Sequence, residues 1–461
     1  MENFIKKVRD KKIRDGLKYS IYDGILWAIM FGLGENYIIP FALAIGATAL
    51  QVSFISASGQ LAVSVSQIIG ANFIQKYKKR KKLAIFCNKI HALSWVFIFF
   101  ISYITKNPDF IIPFYFIGLA STNFAGPGWL SWMNDIVPAK LRGEFWGVRN
   151  KLIGLMQFLS ICVAGILLHF FSKDFETLMI TFGVLFNLAF LARYLSIIPL
   201  GKQYEPEMAV SKKSLKFTFV IFLKKLSETN FGRFVLFSIF MTLAVNIMAP
   251  LVPVFLLKSL KYNYFEYMVV ILSAMVSSFL SMTYWGPLSD KYGNYRIIVV
   301  TAIGLPFISL GWAFFKNFYL LIFIQIFSGF IWSGFNIATL NFIFDAVKRE
   351  NIPKISAYFN LLNNILAFLG STLGGVLTKF LPEKEFSFLN FAPHNYEIIF
   401  LISAFLRILV ILLFIRAFKE VRKFVESSPP FHHFYVYGPF INIINKISLL
   451  LPKEEEKINK K

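Results

Sequence analysis

Glu35 is the residue whose setting asks most for an explanation: a carboxylate near the centre of a long apolar run, in Gly32-Leu-Gly-Glu-Asn-Tyr37. A charge in hydrocarbon is costly unless it meets water, a partner or a proton. The position therefore suits a group that takes up and releases H⁺ or that holds a polar solute, and the plainer alternative is a carboxylate paired with a neighbouring helix. Side-chain amides are embedded in the same kind of run: Asn36, Asn123, Gln157, Asn246, Gln325, Asn336, Asn360, Asn363 and Asn364. Each alone reads first as an interhelical hydrogen bond. As a set they suit an uncharged or mildly polar solute better than a highly charged one. No catalytic constellation accompanies them. The chain has no G-x-x-x-x-G-K-[ST] loop for nucleotide phosphates, and His91, His169, His394, His432 and His433 show no metal-ligand spacing. We expect no enzyme activity, no cofactor and no metal.

These residues must be positioned by elements that live in a membrane. The chain of 461 residues is 56% apolar and 18% aromatic, with 55 Phe and only 16% charged residues, which is far too oily for a soluble protein of this length. Cys87 and Cys162 both fall inside apolar runs and imply no disulfide framework. The first run, from about Tyr19 to Leu50, is too long for a signal-peptide core. The formal charge of +23 is spread between the runs rather than gathered on one domain. It reads as a topology signal facing anionic headgroups, and nucleic acid is not an expected partner.

Twelve apolar runs, each near the ~20 residues a spanning helix needs, are the backbone of the organisation. Six lie at roughly 19–47, 51–74, 83–104, 109–133, 148–171 and 175–199. Six more lie at roughly 232–258, 264–288, 294–315, 318–345, 354–381 and 396–418. The expected division is a basic N-terminal segment 1–18, a first six-helix half 19–199, a linker 200–231, a second half 232–418 and a tail 419–461. With both termini cytoplasmic, 38 of the 48 Lys and Arg fall on the inner side and seven on the outer, with Lys89, Arg193 and Arg407 inside runs. That bias is what the positive-inside rule demands of an inner or plasma membrane protein. Residues 6–14 are candidates for an amphipathic helix on the inner surface, and 439–447 for a second interfacial helix.

The halves resemble each other at a nearly constant offset, the mark of internal duplication. Pro40 matches Pro253, Gly70 matches Gly286, Asp135 matches Asp345, Gly165 matches Gly375 and Arg193 matches Arg407, at offsets between 210 and 216. The duplicated arginines suggest a structural role, either snorkelling to the inner headgroups or pairing with loop acids.

Between the eighth and ninth runs stands Gly286-Pro-Leu-Ser-Asp-Lys-Tyr-Gly-Asn-Tyr-Arg296. Its form G-x-L-x-D-K-x-G-x-x-R, with Gly286, Leu288, Asp290, Gly293 and Arg296, resembles the loop signature of the major facilitator superfamily, the twelve-helix secondary transporters, here of a bacterial or archaeal type. Gly286 and Gly293 are expected to let the chain leave one helix and enter the next, with Pro287 ending the first. Asp290 is expected at the start of the following helix, free to pair with Arg296 or with a basic group nearby. The equivalent first-half loop has Ile74 in place of Asp290, which points to asymmetric gating. A second segment, Asp135-Ile-Val-Pro-Ala-Lys-Leu-Arg142-Gly143, resembles the D-x-x-P-x-x-x-R-G loop of facilitator-type carriers, and Asp135, Arg142 and Arg149 are expected to form an inner-face charge network with Asp345 its second-half counterpart.

The resemblance implies an all-α polytopic membrane protein of two six-helix repeats around a central cavity lined by the first, fourth, seventh and tenth helices. That selects Glu35 as coupling acid and Asn36, Asn123, Asn246, Gln325 and Asn336 as candidate substrate contacts. The implied function is secondary active transport of a small organic solute by alternating access, with H⁺ as the coupling partner and membrane lipids around it. Two rivals remain open: a sensor or assembly protein on the same fold, and a lipid flippase.

Overall fold

The computed structural model describes residues 8, 10–208, 218–347, 351–381 and 395–422. Among the described residues every regular element is helical, and twelve helices are long and apolar enough to cross a membrane. The first six are Lys11–Ala44, Ala49–Tyr77, Arg80–Thr105, Pro108–Ile136, Ala139–Phe170 and Phe175–Lys202. The second six are Asn230–Ser259, Tyr264–Tyr292, Asn294–Phe314, Phe318–Ala346, Lys354–Phe380 and Asn395–Phe414. Each encloses most of the apolar run expected for it. Of the basic stretch at the start, residues 11–14 belong to the first span: the Asp10 carboxylate caps the backbone N–H groups of Lys12 and Ile13, and Lys11 opens the helix, while residues 6, 7 and 9 lie outside the described residues. The candidate interfacial helix at 439–447 lies outside the described residues.

The first span is not one continuous helix. It runs as α-helix over Lys11–Leu33, tightens to a single 3₁₀ turn at Glu35–Tyr37 and resumes over Ile38–Ala44. The cause is local. Pro40 has no N–H to give to the turn before it, and Gly32 and Gly34 weaken the helix there. The Asn36 amide donates to the Phe31 carbonyl at 3.2 Å, supplying one bond that the break removes. In lipid such irregular backbone is tolerated only where protein covers it or where it lines a cavity. The seventh span repeats the pattern around Pro250 and Pro253, with a 3₁₀ turn at Ala249–Leu251 and a π-turn at Phe255–Ser259.

Packing density groups the chain into two compact units. One holds residues 1–216, 242–272 and 360–399; the other holds 217–241, 273–359 and 400–461. In the first, backbones approach closely where a side chain is missing. A Cβ on Gly70 would lie 1.9 Å from the Phe124 carbonyl oxygen, and one on Gly375 would lie 2.4 Å from Ser53. At the end of this unit away from the chain start, Lys258 donates to the Ala47 carbonyl, Met268 fills the notch at Gly165, and the Tyr37 ring meets Tyr267 edge-on at 6.3 Å. Phe41, Phe99, Phe182 and Phe186 form an aromatic knot beside them. In the second unit, Phe234, Phe342 and Phe418 cluster with centroids 4.4 to 5.6 Å apart.

The signature loop differs from expectation in one respect. The eighth span continues as helix through Gly286, Pro287, half-buried Leu288 and exposed Asp290 to Tyr292, so Asp290 sits in the last turn of that helix rather than at the start of the next. A proline removes only one hydrogen bond, and membrane helices absorb that loss. Gly286 meets nothing within 4 Å, and the turn is made by Gly293 alone, at φ +87°. This is the left-handed region that a side chain would strain.

Candidate functional site

The 3₁₀ break places Glu35 on the wall of a cavity of about 390 Å³ lined by residues of the first four spans. Trp27 and Glu35 come from the first span, Ser56 and Gln60 from the second, His91 from the third, and Tyr115, Thr122 and Asn123 from the fourth. Gly118 makes room for this arrangement, since a Cβ there would lie 2.4 Å from the Ser94 hydroxyl of the third span. The Tyr115 hydroxyl donates to Glu35 Oε1 at 3.5 Å, a long bond. Gln67 Nε2 donates to Asn123 Oδ1 at 3.1 Å, and Asn123 Nδ2 donates to its own helix at the Leu119 carbonyl. The wall thus offers hydroxyl, amide, imidazole and carboxylate groups to whatever enters, a polar lining that suits a small solute with several hydrogen-bonding atoms.

Behind His91 lies a buried guanidinium. Arg193 is 4% exposed and Arg407 2%, so neither snorkels to a headgroup. Arg193 Nη2 donates to Asn88 Oδ1 at 2.6 Å and to Thr122 Oγ1 at 2.9 Å, Nε to His91 Nδ1 at 3.2 Å, and Nη1 to Ser196 Oγ at 3.4 Å. All four partners are neutral. No carboxylate among the described residues lies within ion-pair distance of it, and the acids within electrostatic reach are Asp23 and Glu35. Asp23 also faces Arg149, whose guanidinium stacks on Trp129 at 4.7 Å and on Trp146 at 5.7 Å. Asp23 and Arg193 are buried and Glu35 and Arg149 half-buried, so two acids and two bases lie near one another inside the bundle, where an ionisable group needs a partner, water or a proton.

The other expected contacts are distributed. Asn36 serves the helix break, and Asn246 donates to the Thr242 carbonyl of its own helix at 2.8 Å. Gln325 is buried and Asn336 exposed, both in the second unit. Of the six residues proposed for the cavity, the structure brings Glu35 and Asn123 together in one pocket. The sequence does not single out Gln60, Tyr115 or Thr122, and it marks His91 only as a histidine without metal-ligand spacing; the signal that would have found them is that His91, Thr122 and Arg193 are polar groups on three different apolar runs.

The charge networks lie at the ends of the spans nearest the chain termini. Asp135 pairs with the buried Arg80 rather than with Arg142 or Arg149. Arg80 also donates to Ser131 and the Pro206 carbonyl and lies 3.7 Å from Glu205. Arg142 instead donates to the Asn134 carbonyl, while Gly143 is exposed with open space around it. In the second unit Asp290 pairs with Arg422 at 3.0 Å, leaving Arg296 exposed, and Asp345 accepts from Asn294 Nδ2 at 2.6 Å and lies 3.9 Å from Arg422. The Asp290 hydrogen bond pushes the Arg422 guanidinium above its ordinary value. In each half a glutamate beyond the last span caps the N-terminus of the third: Glu205 accepts from Lys81 N, and Glu420 from Tyr295 N.

Comparison with known proteins bears on this geometry. A family model described as Major Facilitator Superfamily matches residues 24–305 and 234–450. A search of curated protein sequences finds no match. Among solved structures, a D-xylose-proton symporter superposes with a TM-score of 0.67 at 15% identity, covering 90% of this chain and 100% of that one. A point mutant of the nucleoside transporter NupG superposes with a TM-score of 0.65 at 14% identity, covering 87% of this chain and 100% of that one. At these identities the two likenesses show the fold.

Proposed function

The chain belongs to the Major Facilitator Superfamily, and from that premise we propose that it is a secondary transporter that carries a small, neutral, polar organic solute through the cavity at Glu35, coupled to protons. The observation that carries this reading is a carboxylate at a helix break, on the wall of a pocket of about 390 Å³ edged with amides and hydroxyls. The pocket volume is in the range of a small-molecule site. Two structural neighbours, a nucleoside transporter and a D-xylose-proton symporter, supply the first solutes to try. Glu35, weakly held by Tyr115, is the group to exchange a proton as the solute binds and leaves. Asn246, Gln325 and Asn336 are proposed to meet the solute from the second half, and Asp135, Arg80, Asp290, Asp345 and Arg422 to hold the ends of the spans in one conformation. The membrane is the plasma or inner membrane, with both termini on the cytoplasmic side.

The test is uptake of radiolabelled uridine and D-xylose into proteoliposomes with and without an imposed pH gradient. Wild-type protein is expected to accumulate one of them only with the gradient. Glu35→Gln is expected to exchange solute down its own gradient but not to accumulate it. Accumulation indifferent to pH removes proton coupling, binding without flux favours the sensor, and movement of labelled lipid alone favours the flippase.

A further inference from the structure

The Arg193 hydrogen bonds do more than bury a charge, because two of their acceptors also face the cavity. His91 uses Nδ1 to accept from Arg193 Nε, which leaves Nδ1 no room for a proton of its own. A neutral imidazole with a bare Nδ1 carries its hydrogen on Nε2. Thr122 accepts from Arg193 Nη2 through Oγ1, and among the described residues its own hydroxyl proton has no acceptor. Guanidinium has five donors and no lone pair, so it can only turn its neighbours into acceptors on their near side and donors on their far side. Both residues line the cavity that holds Glu35.

We infer that Arg193 is a positioning residue that fixes His91 Nε2–H and Thr122 O–H as two hydrogen-bond donors into the cavity that Glu35 also lines as an acceptor, so that the site selects a solute carrying paired acceptor oxygens and a nearby donor. A polyol, a sugar or a nucleoside sugar ring fits that pattern; an ammonium compound, with donors only, does not. Arg193 itself stays behind the wall and touches no solute. The solute class rests on the transport reading given above, whereas the donor pattern rests on the hydrogen bonds alone. Discrimination of this kind is strong, since a solute lacking the acceptor leaves buried donors unpaired.

The full-length protein in lipid nanodiscs, with isotopically labelled histidine ring nitrogens, provides the test by magnetic resonance. His91→Gln identifies the His91 signals by difference. At neutral pH, wild-type His91 is expected to show a bare Nδ1 and a protonated Nε2. Arg193→Lys keeps the charge but has no Nε–H, and is expected to lose that fixed pattern. A wild-type proton on Nδ1, or a pattern unaltered in Arg193→Lys, overturns the proposal; if Arg193→Lys does not fold, the wild-type spectrum still decides. For whichever of uridine or D-xylose is carried, Thr122→Val is expected to raise KM about tenfold with kcat little changed. An unchanged KM overturns the recognition role. If neither solute is carried, the transport reading loses its support while the donor pattern still stands or falls by the spectrum.

Discussion

Arg193 and Arg407 occupy equivalent places in the two halves, are both buried, and are held in different ways. Arg193 sits in a shell of side chains from the third and fourth spans, including His91, and from its own sixth span through Ser196. Arg407 donates through Nη1 to the backbone carbonyl of Leu305, the counterpart of His91 by the same offset, and its Nε has no partner among the described residues. The first-span breaks diverge likewise: both halves keep the proline, but Met248 stands where the first half has Glu35. Duplication has kept the scaffold in both halves, whereas this polar chemistry was elaborated in one. A residue shared by both halves is thus evidence of architecture, and a residue that breaks the repeat is evidence of function.

The widest separation is expected from the arginines themselves. Arg193→Met strips Asn88, His91 and Thr122 of their donor, so a loss of about 3 kcal/mol is expected, given about 1–3 kcal/mol for a buried polar group left without its partner. Arg407→Met removes a buried cation with an unmet donor and is expected to stay within about 1 kcal/mol of wild type, or to stabilise it. Denaturation in detergent micelles measures both. Equal destabilisation by the two would mean that the halves use their arginines alike.

Next come the charge networks near the termini. Arg80 has a fully buried side chain and meets Asp135, Ser131 and the Pro206 carbonyl, so Arg80→Ala is expected to cost about 3 kcal/mol. Arg422 and Asp290 have 42% and 71% of their side chains exposed. After solvent screening, Arg422→Ala is expected to cost at most about 1 kcal/mol, and less still at high salt. Thermal unfolding across a salt series separates the two cases.

The two glycines of the repeated loop give a smaller contrast of the same kind. Gly70→Ala pushes a methyl group into the Phe124 carbonyl and is expected to cost about 1–3 kcal/mol as two helices are forced apart. Gly286→Ala meets open space in a helical segment and is expected to be neutral or stabilising by up to about 1 kcal/mol. If Gly286→Ala unfolds the protein instead, the loop glycine has a role that its surroundings do not account for.

The fold was readable in the sequence because hydrocarbon leaves a chain so few options: run length, charge bias and the repeat offset each pointed to twelve helices in two sets. Glu35 was readable for the same reason, since a carboxylate in an apolar run has no bland surroundings to vanish into. What could not be read was pairing. Asp135 found Arg80 and Asp290 found Arg422, partners 55 and 132 residues away, because only the folded bundle brings those spans and tails together. Thr122 does not stand out in the sequence, and His91 stands out only as a histidine without metal-ligand spacing, because their meaning comes from Arg193, on a third helix. The end of the eighth helix was misplaced because proline was given the weight it has in water rather than in lipid.

The smallest expected effect sharpens the contrast between the cavity and the surface. Asp174 caps the sixth span, and the backbone N–H of Thr177 holds its carboxyl below the usual carboxylate range. A carboxyl depressed in the folded state adds stability that is present above its unfolded value of about 3.9 and is lost as pH falls through the lower folded value. Asp174→Asn is therefore expected to flatten only the acid limb of the stability curve, since asparagine still caps a helix. Solute uptake between pH 5 and 8 is expected to keep its wild-type profile in this variant. A changed uptake profile would place part of the proton dependence outside the cavity, at an exposed helix end that has no counterpart of Glu35 beside it.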